Sequence, residues 1–478
     1  MAADALPPAQ GGEALMPRPI PSRERAAEAA REAQDAAVPD EMRGPGTGAQ
    51  PREVRVAALG RGTARGLEPK AWPEPLDAAA YYGLVGEIVR AIEPETESDP
   101  ATILVQVLVA LGALVGRGPH VRVEGDQHHG NLFALVVGDT AKARKGTSWG
   151  RVREIFSHVE GSPKVVTGLS SGEGLKWAVR DPIRRFERGV ETVVDPGVTD
   201  KRLLVVEPEF AQVLRVAQRS GNTLSATIRE AWDTGRLATL TKNDSVEATG
   251  AHVSIVGHIT AEELRTELTA TDTANGFANR FLFVCARRSK TLPFGGEPLD
   301  PQTLSDFASR ITAAVQRARA VGEISMTPAA RDVWAAVYPT LSAGYPGLVG
   351  AVTARAEAQT LRLALMYALL DEALEIDQSH LLAALAVWER AEASARYVFG
   401  SALGNPVADD IQRALIAAGP AGLTRTDIRD LFKRNQSAER IGAALDLLTR
   451  QGRAVGEACT IGSGRPTEVW RCRQPTTT

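Results

Sequence analysis

The sequence predicts an α/β protein: a largely parallel sheet covered by helices, followed by an all-helical lid and a small carboxy-terminal domain. Three observations lead there. Apolar strand-like runs alternate with helical spacing as far as Ala286, the pattern of a parallel sheet with helices on its faces. Residues 297–400 change to long amphipathic helical spacing with few strand signals. The last seventy residues read as three helices and then two strands around a turn-rich loop. With 478 residues, 44% of them hydrophobic, the chain has material for more than one domain.

Taken in order, residues 1–72 are rich in Ala, Pro, Gly, Arg and Glu and are expected to be a disordered tail. Residues 73–116 are expected to form a helical segment, with Leu76–Ile92 and Asp99–Val115 as helices. The second contains the longest apolar run, which is too short for a membrane helix and is interrupted by Gln106. His120–Glu124 alternates like an edge strand and Asn131–Val137 reads as a buried one. These open a core over 117–296, with a helical lid over 297–405. In 406–478, helices are expected at Ala408–Ala418, Thr424–Phe432 and Ser437–Gln451, the last two capped by Thr424 and Ser437. Strands follow at Arg453–Thr460 and Thr467–Cys472. That is the winged-helix order.

The charge balance, 55 Lys+Arg against 58 Asp+Glu, excludes a wholly basic nucleic-acid coat but leaves room for a local one. Over 407–478 there are 11 basic and 8 acidic residues. Three cysteines build no disulfide framework or zinc cluster. The first residues lack a basic stretch followed by an apolar one, so a cytoplasmic protein without a membrane partner is expected.

The strongest local signal follows the strand that ends at Val137. Gly138-Asp-Thr-Ala-Lys-Ala-Arg144-Lys145-Gly146-Thr147-Ser148 leads into a helix expected over Trp149–Val159. Strand, small-residue loop, basic residue, hydroxyl and helix make the context of a phosphate-binding loop. Backbone amides and a lysine grip phosphates, and a hydroxyl ligates Mg²⁺. The spacing is irregular: Lys145 is seven residues after Gly138, Arg144 holds the usual lysine position and Gly146 precedes the hydroxyls. The reading chosen is Lys145 with Thr147 or Ser148, across a one-residue bulge. The competing reading is a βα turn with incidental basic residues.

Downstream, Arg202–Val206 runs into Glu207-Pro208-Glu209-Phe210. Carboxylates at such a strand end would complete an Mg²⁺ shell (Glu207) and polarise the attacking water. Two apart on an extended strand, Glu207 and Glu209 are expected to share a face. His252–Thr260 is another apolar strand, ending in polar His258 and Thr260, where a γ-phosphate sensor, assigned to His258, would sit. Arg280 immediately precedes a further strand.

This ordered set resembles the AAA+ P-loop ATPase core of minichromosome-maintenance-type replicative helicases. It looks still closer to an uncharacterised group of helicase-like proteins of phages, plasmids and GC-rich bacteria. The resemblance spans roughly 130–475. It rests on GDTAKARKGTS, VVTGLSSGEGLKWAVRD, LLVVEPEF, ANRFLFV and VTARAEAQTLRLALMYALLDEALEI. It implies ATP and Mg²⁺, an arginine finger at Arg280 and a second nucleotide sensor at Arg355, with Arg362 a turn or two later. It also implies a homo-oligomer, by resemblance a hexamer. Pro208 stands where the family has Asp in its Asp-Glu-Phe segment, with Glu207 as the substitute.

Partner contacts follow. Gly235–Gly250 reads as a β-hairpin with Lys242 at its tip, and the resemblance places such a lysine in a central pore. In the winged helix, Ser437–Gln451 would be the recognition helix, leaving Lys433, Arg434 and Arg440 for phosphates and Arg465 at the wing. The expected function is an ATP-dependent motor on single-stranded or duplex DNA, a helicase-like hydrolase in the replication of a mobile element. A nucleotide-switched DNA-binding initiator or regulator with little hydrolysis is the alternative.

Overall fold

The computed structural model describes residues 72–139, 143–187, 190–238, 246–268, 270–345, 347–400, 405–459 and 467–473. After a single 3₁₀ turn come α1 (Gly83–Ile92) and α2 (Pro100–Val115). Asp99 caps α2 by accepting from the Ala101 amide, and Pro100 occupies the first turn, where its missing N–H costs nothing. Every residue from Ala101 to Val115 is buried, because α2 packs across four strands of the main sheet and against the helix after the phosphate-type loop. Within the helical segment expected at 73–116, α2 is thus one cover of the sheet, which explains its nearly all-round apolarity.

β1 (His120–Val123) and β2 (Asp126–His129) form their own antiparallel ribbon. The two-residue Glu124–Gly125 turn, with Glu124 at φ 52°, closes it. The strand whose alternation reads like an edge strand thus forms one side of this two-stranded ribbon.

The main sheet contains β3 (Phe133–Gly138), β4 (Lys164–Val166), β7 (Arg202–Glu207), β8 (His252–Thr260) and β9 (Phe281–Ala286), in the order β4-β7-β8-β3-β9. All pairings are parallel. β3 and β9 are buried along their whole length, as strands covered on both faces must be. Between β3 and β4 lies α3 (Lys145–Phe156). Between β4 and β7 lie α4 (Gly172–Ala178) and the antiparallel hairpin β5 (Ile183–Glu187) and β6 (Val190–Asp195), which was not expected. α5 (Phe210–Ala217) and α6 (Leu224–Asp233) lead from β7 towards β8, and α7 (Ala261–Glu267) and α8 (Ala270–Ala274) from β8 towards β9.

The order has one consequence for a ligand. After β3 the chain crosses to β4 at the far edge. After β8, the neighbour of β3, it crosses to β9 on the other side. Right-handed crossovers in opposite directions send the following helices to opposite faces. The place where they part, beyond the carboxyl ends of β3 and β8, is the switch point at which open sheets of this kind take their ligands in a crevice.

α9 (Pro301–Ala320), β10 (Ser325–Met326), α10 (Pro328–Ser342), α11 (Gly347–Thr353), α12 (Ala356–Leu370), β11 (Glu375–Ile376) and α13 (Gln378–Phe399) complete the helical part. It shares its core with the sheet: Val349, Val352, Val398 and Phe399 belong to the same apolar cluster as Phe133 and Phe281. Arg362 of α12 is fully buried and stacks on Trp232 at 3.6 Å. It donates to Asn131 Oδ1 (2.6 Å) and to the Trp232 carbonyl (2.9 Å). These charge-assisted bonds, made by the two terminal nitrogens, offset part of the cost of burying the guanidinium, whose Nε has no partner.

The last residues form α14 (Pro406–Ala418), β12 (Leu423–Thr424), α15 (Arg425–Leu431), α16 (Ala438–Arg450), β13 (Ala454–Cys459) and β14 (Thr467–Cys472). The three strands are antiparallel in the order β12-β14-β13. Ile411, Leu415, Ile428, Ile441, Leu445, Leu448 and Trp470 make a separate core. Thr424 and Ser437 cap α15 and α16 as expected.

Candidate functional site

Of the residues singled out in the sequence, Gly138, Lys145, Glu209 and His258 come together at the carboxyl ends of β3, β7 and β8. A Cβ on Gly138 would lie 2.6 Å from Ala143 Cβ and 3.1 Å from Lys145 Nζ. Glycine is what lets the loop close this tightly and lets the ammonium fold back over the strand end. Gly138→Ala is accordingly expected to cost about 1–3 kcal/mol through overpacking, read as a lowered thermal midpoint. Burial holds the half-buried Lys145 ammonium below its ordinary pKa, while the carboxylates of Glu263, Glu209 and Asp139 pull it back up. These carboxylates belong to α7, the end of β7 and the end of β3, so one ammonium lies in the field of three converging elements.

The two basic neighbours differ in place. Arg144 adopts a left-handed conformation, φ 57°, just before α3. Its Nε donates to Glu97 Oε2 at 2.6 Å, and Glu97 also accepts from the Leu292 amide at 2.9 Å. Arg144 thus anchors the loop to the segment before α2. Lys142 lies outside the described residues.

The hydroxyls separate as well. Gly146 and Thr147 are exposed, and Thr147 borders a cavity of about 520 Å³ with Arg151, Arg153 and Glu154 on the outer side of α3. Ser148 is fully buried. It donates to the Lys145 carbonyl at 2.6 Å and accepts from Gln106 Nε2 at 3.0 Å. Of the two alternatives for a metal ligand, only Thr147 has an exposed side chain.

The acidic pair does not share a face. β7 stops at Glu207 and the chain turns at Pro208, so Glu209 sits at the cap of α5 with φ −129°. Glu207 is buried and accepts from the Leu169 amide (2.7 Å) and Thr167 Oγ1 (3.3 Å). Glu209 is exposed. The expectation assumed an extended strand through 209; proline ended it by removing the next ladder donor.

His258 is 3% exposed, and burial first and Lys145 second push its pKa down to about 4. Its Nε2 lies 3.2 Å from Gln106 Nε2. Two residues on, Thr260 and Glu263 form a reciprocal capping box at α7, which fixes the other wall of the crevice.

The arginines lie elsewhere. Arg280 precedes β9, whose first residue pairs with the first residue of β3. Gly138 ends that strand, and six residues at ~3.3 Å each put roughly 20 Å between them. Arg280 is 5% exposed, donates from two nitrogens to the Asp233 carboxylate and from a third to the Gly276 carbonyl. Arg355 Nη1 stands 3.6 Å from the same carboxylate, and Trp232 lies under both guanidiniums at 5.7 and 5.2 Å. Arg280 and Arg355 therefore form a pair around Asp233, apart from the crevice.

In the carboxy-terminal residues, Lys433 and Arg434 take left-handed conformations at φ 48° and 63° between α15 and α16. Both are exposed, as is Arg440 in the first turn of α16. Arg434 pairs with Asp430 at 3.0 Å. Lys242 and Arg465 lie outside the described residues; the chain on either side of the first is joined by a bridge between Leu237 and Ala248.

Gln106, Glu97, Thr167 and Asp233 were not anticipated as site residues. Gln106 had a signal, as a long polar side chain inside an apolar run. The others became visible only through contacts across the fold.

No family model matches this sequence, and no curated protein shows significant similarity to it. Among the described residues, no helix is long and apolar enough to cross a membrane.

Proposed function

We propose that this chain is an ATP-dependent DNA motor with an AAA+-like P-loop core, acting in the replication of a mobile element. The observation that carries the reading is the placement of Lys145 at the switch point of the sheet. A glycine-closed βα loop presents the Lys145 ammonium at the switch point of a five-stranded parallel sheet, with Glu209 and His258 on the adjoining strand ends. Such a loop and helix start recognise phosphate. Lys145 would neutralise the β- and γ-oxygens, and Thr147 and Glu207 would hold the Mg²⁺ that arrives with ATP. Glu209 would orient and deprotonate the water, and His258 would report the γ-phosphate. Gly138, Arg144 and Gly146 shape the loop around them. The distance of Arg280 and Arg355 from their own crevice supports a shared site: both would serve the nucleotide of the next subunit, in a ring that the family resemblance makes a hexamer.

The carboxy-terminal residues are read as a winged helix. Three helices, an antiparallel sheet and the exposed cluster of Lys433, Arg434 and Arg440 support that reading, with Lys242 and Arg465 as further DNA contacts. These cations would bind phosphates, so affinity for single-stranded or duplex DNA should fall with salt at a log–log slope of about −0.7 to −0.9 per contact.

Steady-state hydrolysis of Mg²⁺-ATP by the full chain, with and without single-stranded DNA, tests the proposal. DNA-stimulated turnover is expected. Failure to bind Mg²⁺-ATP at all would sink it. ATP binding with negligible turnover would select the second reading, a nucleotide-switched DNA-binding initiator or regulator. One observation favours that reading: the Glu207 carboxylate is already taken by Leu169 and Thr167.

A further inference from the structure

We infer that Gln106, on a helix that precedes the phosphate loop, is a positioning residue that keeps the proton of His258 on Nδ1 and ties that histidine to the start of α3. The inference deepens the nucleotide-binding reading and rests on it for its functional consequence.

The hydrogen-bond arithmetic is closed. Ser148 Oγ lies 2.6 Å from the Lys145 carbonyl, which can only accept. The single hydroxyl proton is spent there, so Ser148 Oγ must accept from its other partner, Gln106, at 3.0 Å. The atom of Gln106 facing Ser148 is therefore the amide nitrogen, which removes the usual ambiguity of an amide flip. That nitrogen has one proton left, and it points to His258 Nε2 at 3.2 Å. A ring nitrogen that accepts carries no proton, so the neutral imidazole must hold its proton on Nδ1.

Nothing else in the surroundings opposes this arrangement. His258 is buried beside the Lys145 ammonium, and both facts disfavour an imidazolium. Gln106 is fully buried in a helix whose one other polar side chain is Thr102, and its Oε1 has no partner. A leucine there would remove the orphaned Oε1 but would also strip His258 Nε2 of its donor; the desolvation that the glutamine costs is offset by its two donated bonds.

The arrangement has a chemical meaning. An Nδ1–H group is a donor, suited to a phosphate oxygen, whereas a bare ring nitrogen would repel one. The same amide reaches, through Ser148, the carbonyl of Lys145 in the first turn of α3. A phosphate drawing on His258 therefore pulls on a network rooted at the lysine that grips phosphates. The ligand feature recognised is the γ-phosphoryl group, present in ATP and absent from ADP.

The test uses the full chain labelled with ¹⁵N-histidine. Long-range ¹⁵N–¹H correlation spectra show which ring nitrogen is protonated, and the His258→Gln variant assigns the signal. Wild type should show the proton on Nδ1. Gln106→Glu, which turns the donor into an acceptor, should move it to Nε2 or add a second proton. Gln106→Met, of similar shape with no donor, should leave a mixture of tautomers. In titrations with fluorescent ATP and ADP analogues, affinity for ATP should fall in proportion to the Nδ1–H population that the spectra show to be lost, up to about tenfold, one hydrogen bond to a charged group, where the proton has moved to Nε2, with little change for ADP. A wild-type proton on Nε2 would overturn the inference. So would a Gln106→Met variant with an unchanged tautomer and an unchanged ATP-to-ADP ratio. If Gln106→Glu does not fold, wild type and Gln106→Met still decide. If wild type binds neither nucleotide, the nucleotide reading fails, while the spectra still judge the Gln106–His258 pair.

Discussion

Lys145→Ala is expected to reduce affinity for Mg²⁺-ATP by roughly 100-fold or more, the scale of a lost charge-assisted contact in a partly desolvated site. Two effects add. The ammonium that would meet the phosphates disappears. The acidic groups it lies among, Glu263, Glu209 and Asp139, then face the polyphosphate without a compensating cation. Arg144 is a poor substitute, because its guanidinium is engaged by Glu97. The measurement is a titration with a fluorescent ATP analogue in the presence of Mg²⁺, with circular dichroism to show that the fold persists. Lys142→Ala should bind nearly as wild type. Equal affinities in the two variants would mean that the loop grips phosphate in another register. A pH titration adds a second check. Burial lowers the pKa of Lys145, so the neutral form appears at a lower pH than for an ordinary lysine. ATP affinity should be fully present at neutral pH, decline as pH rises through that lowered value, and lack this step in Lys145→Ala.

The fold was legible wherever one period dominated. β8 occupies the residues expected, and α16 buries Ile441, Ala444, Leu445 and Leu448, the inward face that its spacing assigned. The hairpin β5–β6 was missed because Arg184, Arg185, Glu187, Glu191 and Asp195 make it polar, and its exposed Val190, Val193 and Val194 give no inward face to read. Local chemistry was harder. Thr147 and Ser148 are neighbours in a helix, where adjacent residues lie about 100° apart, so one faces outward and the other inward; the sequence offered both. Glu207 and Glu209 parted because Pro208 stopped the strand. The partners that decide what these groups can do are distant in the chain: Gln106 lies 152 residues from His258 and Asp233 lies 47 from Arg280. No short spacing encodes such pairs.

Arg280→Ala is expected to bind ATP normally and to lower hydrolysis by about 10³-fold or more, the range seen when an arginine finger is removed from NTPases. The geometry sets the terms. Arg280 stands at the amino end of β9 and Gly138 and Lys145 at the carboxyl end of β3, so it cannot serve a phosphate bound by Lys145 of its own chain. It is held by the Asp233 carboxylate and the Gly276 carbonyl. To act, it must exchange Asp233 for the γ-phosphoryl of a neighbour, and Arg355, 3.6 Å from Asp233, remains to neutralise the carboxylate left behind. That spare cation is why the exchange need not strand a charge, and why Arg280→Ala should still fold. Mixing Arg280→Ala with Lys145→Ala protein is the decisive assay. The first keeps an intact phosphate loop and the second an intact arginine, so some interfaces in a mixed assembly are complete. Turnover should appear in the mixture and in neither variant alone. Arg280→Lys, which preserves the pairing with Asp233 but loses the two-pronged donor geometry, separates folding from function: it should fold as wild type and hydrolyse poorly. An absence of rescue at every mixing ratio, with both variants folded and Arg280→Lys fully active, would reduce Arg280 to a buried tie between α6 and β9.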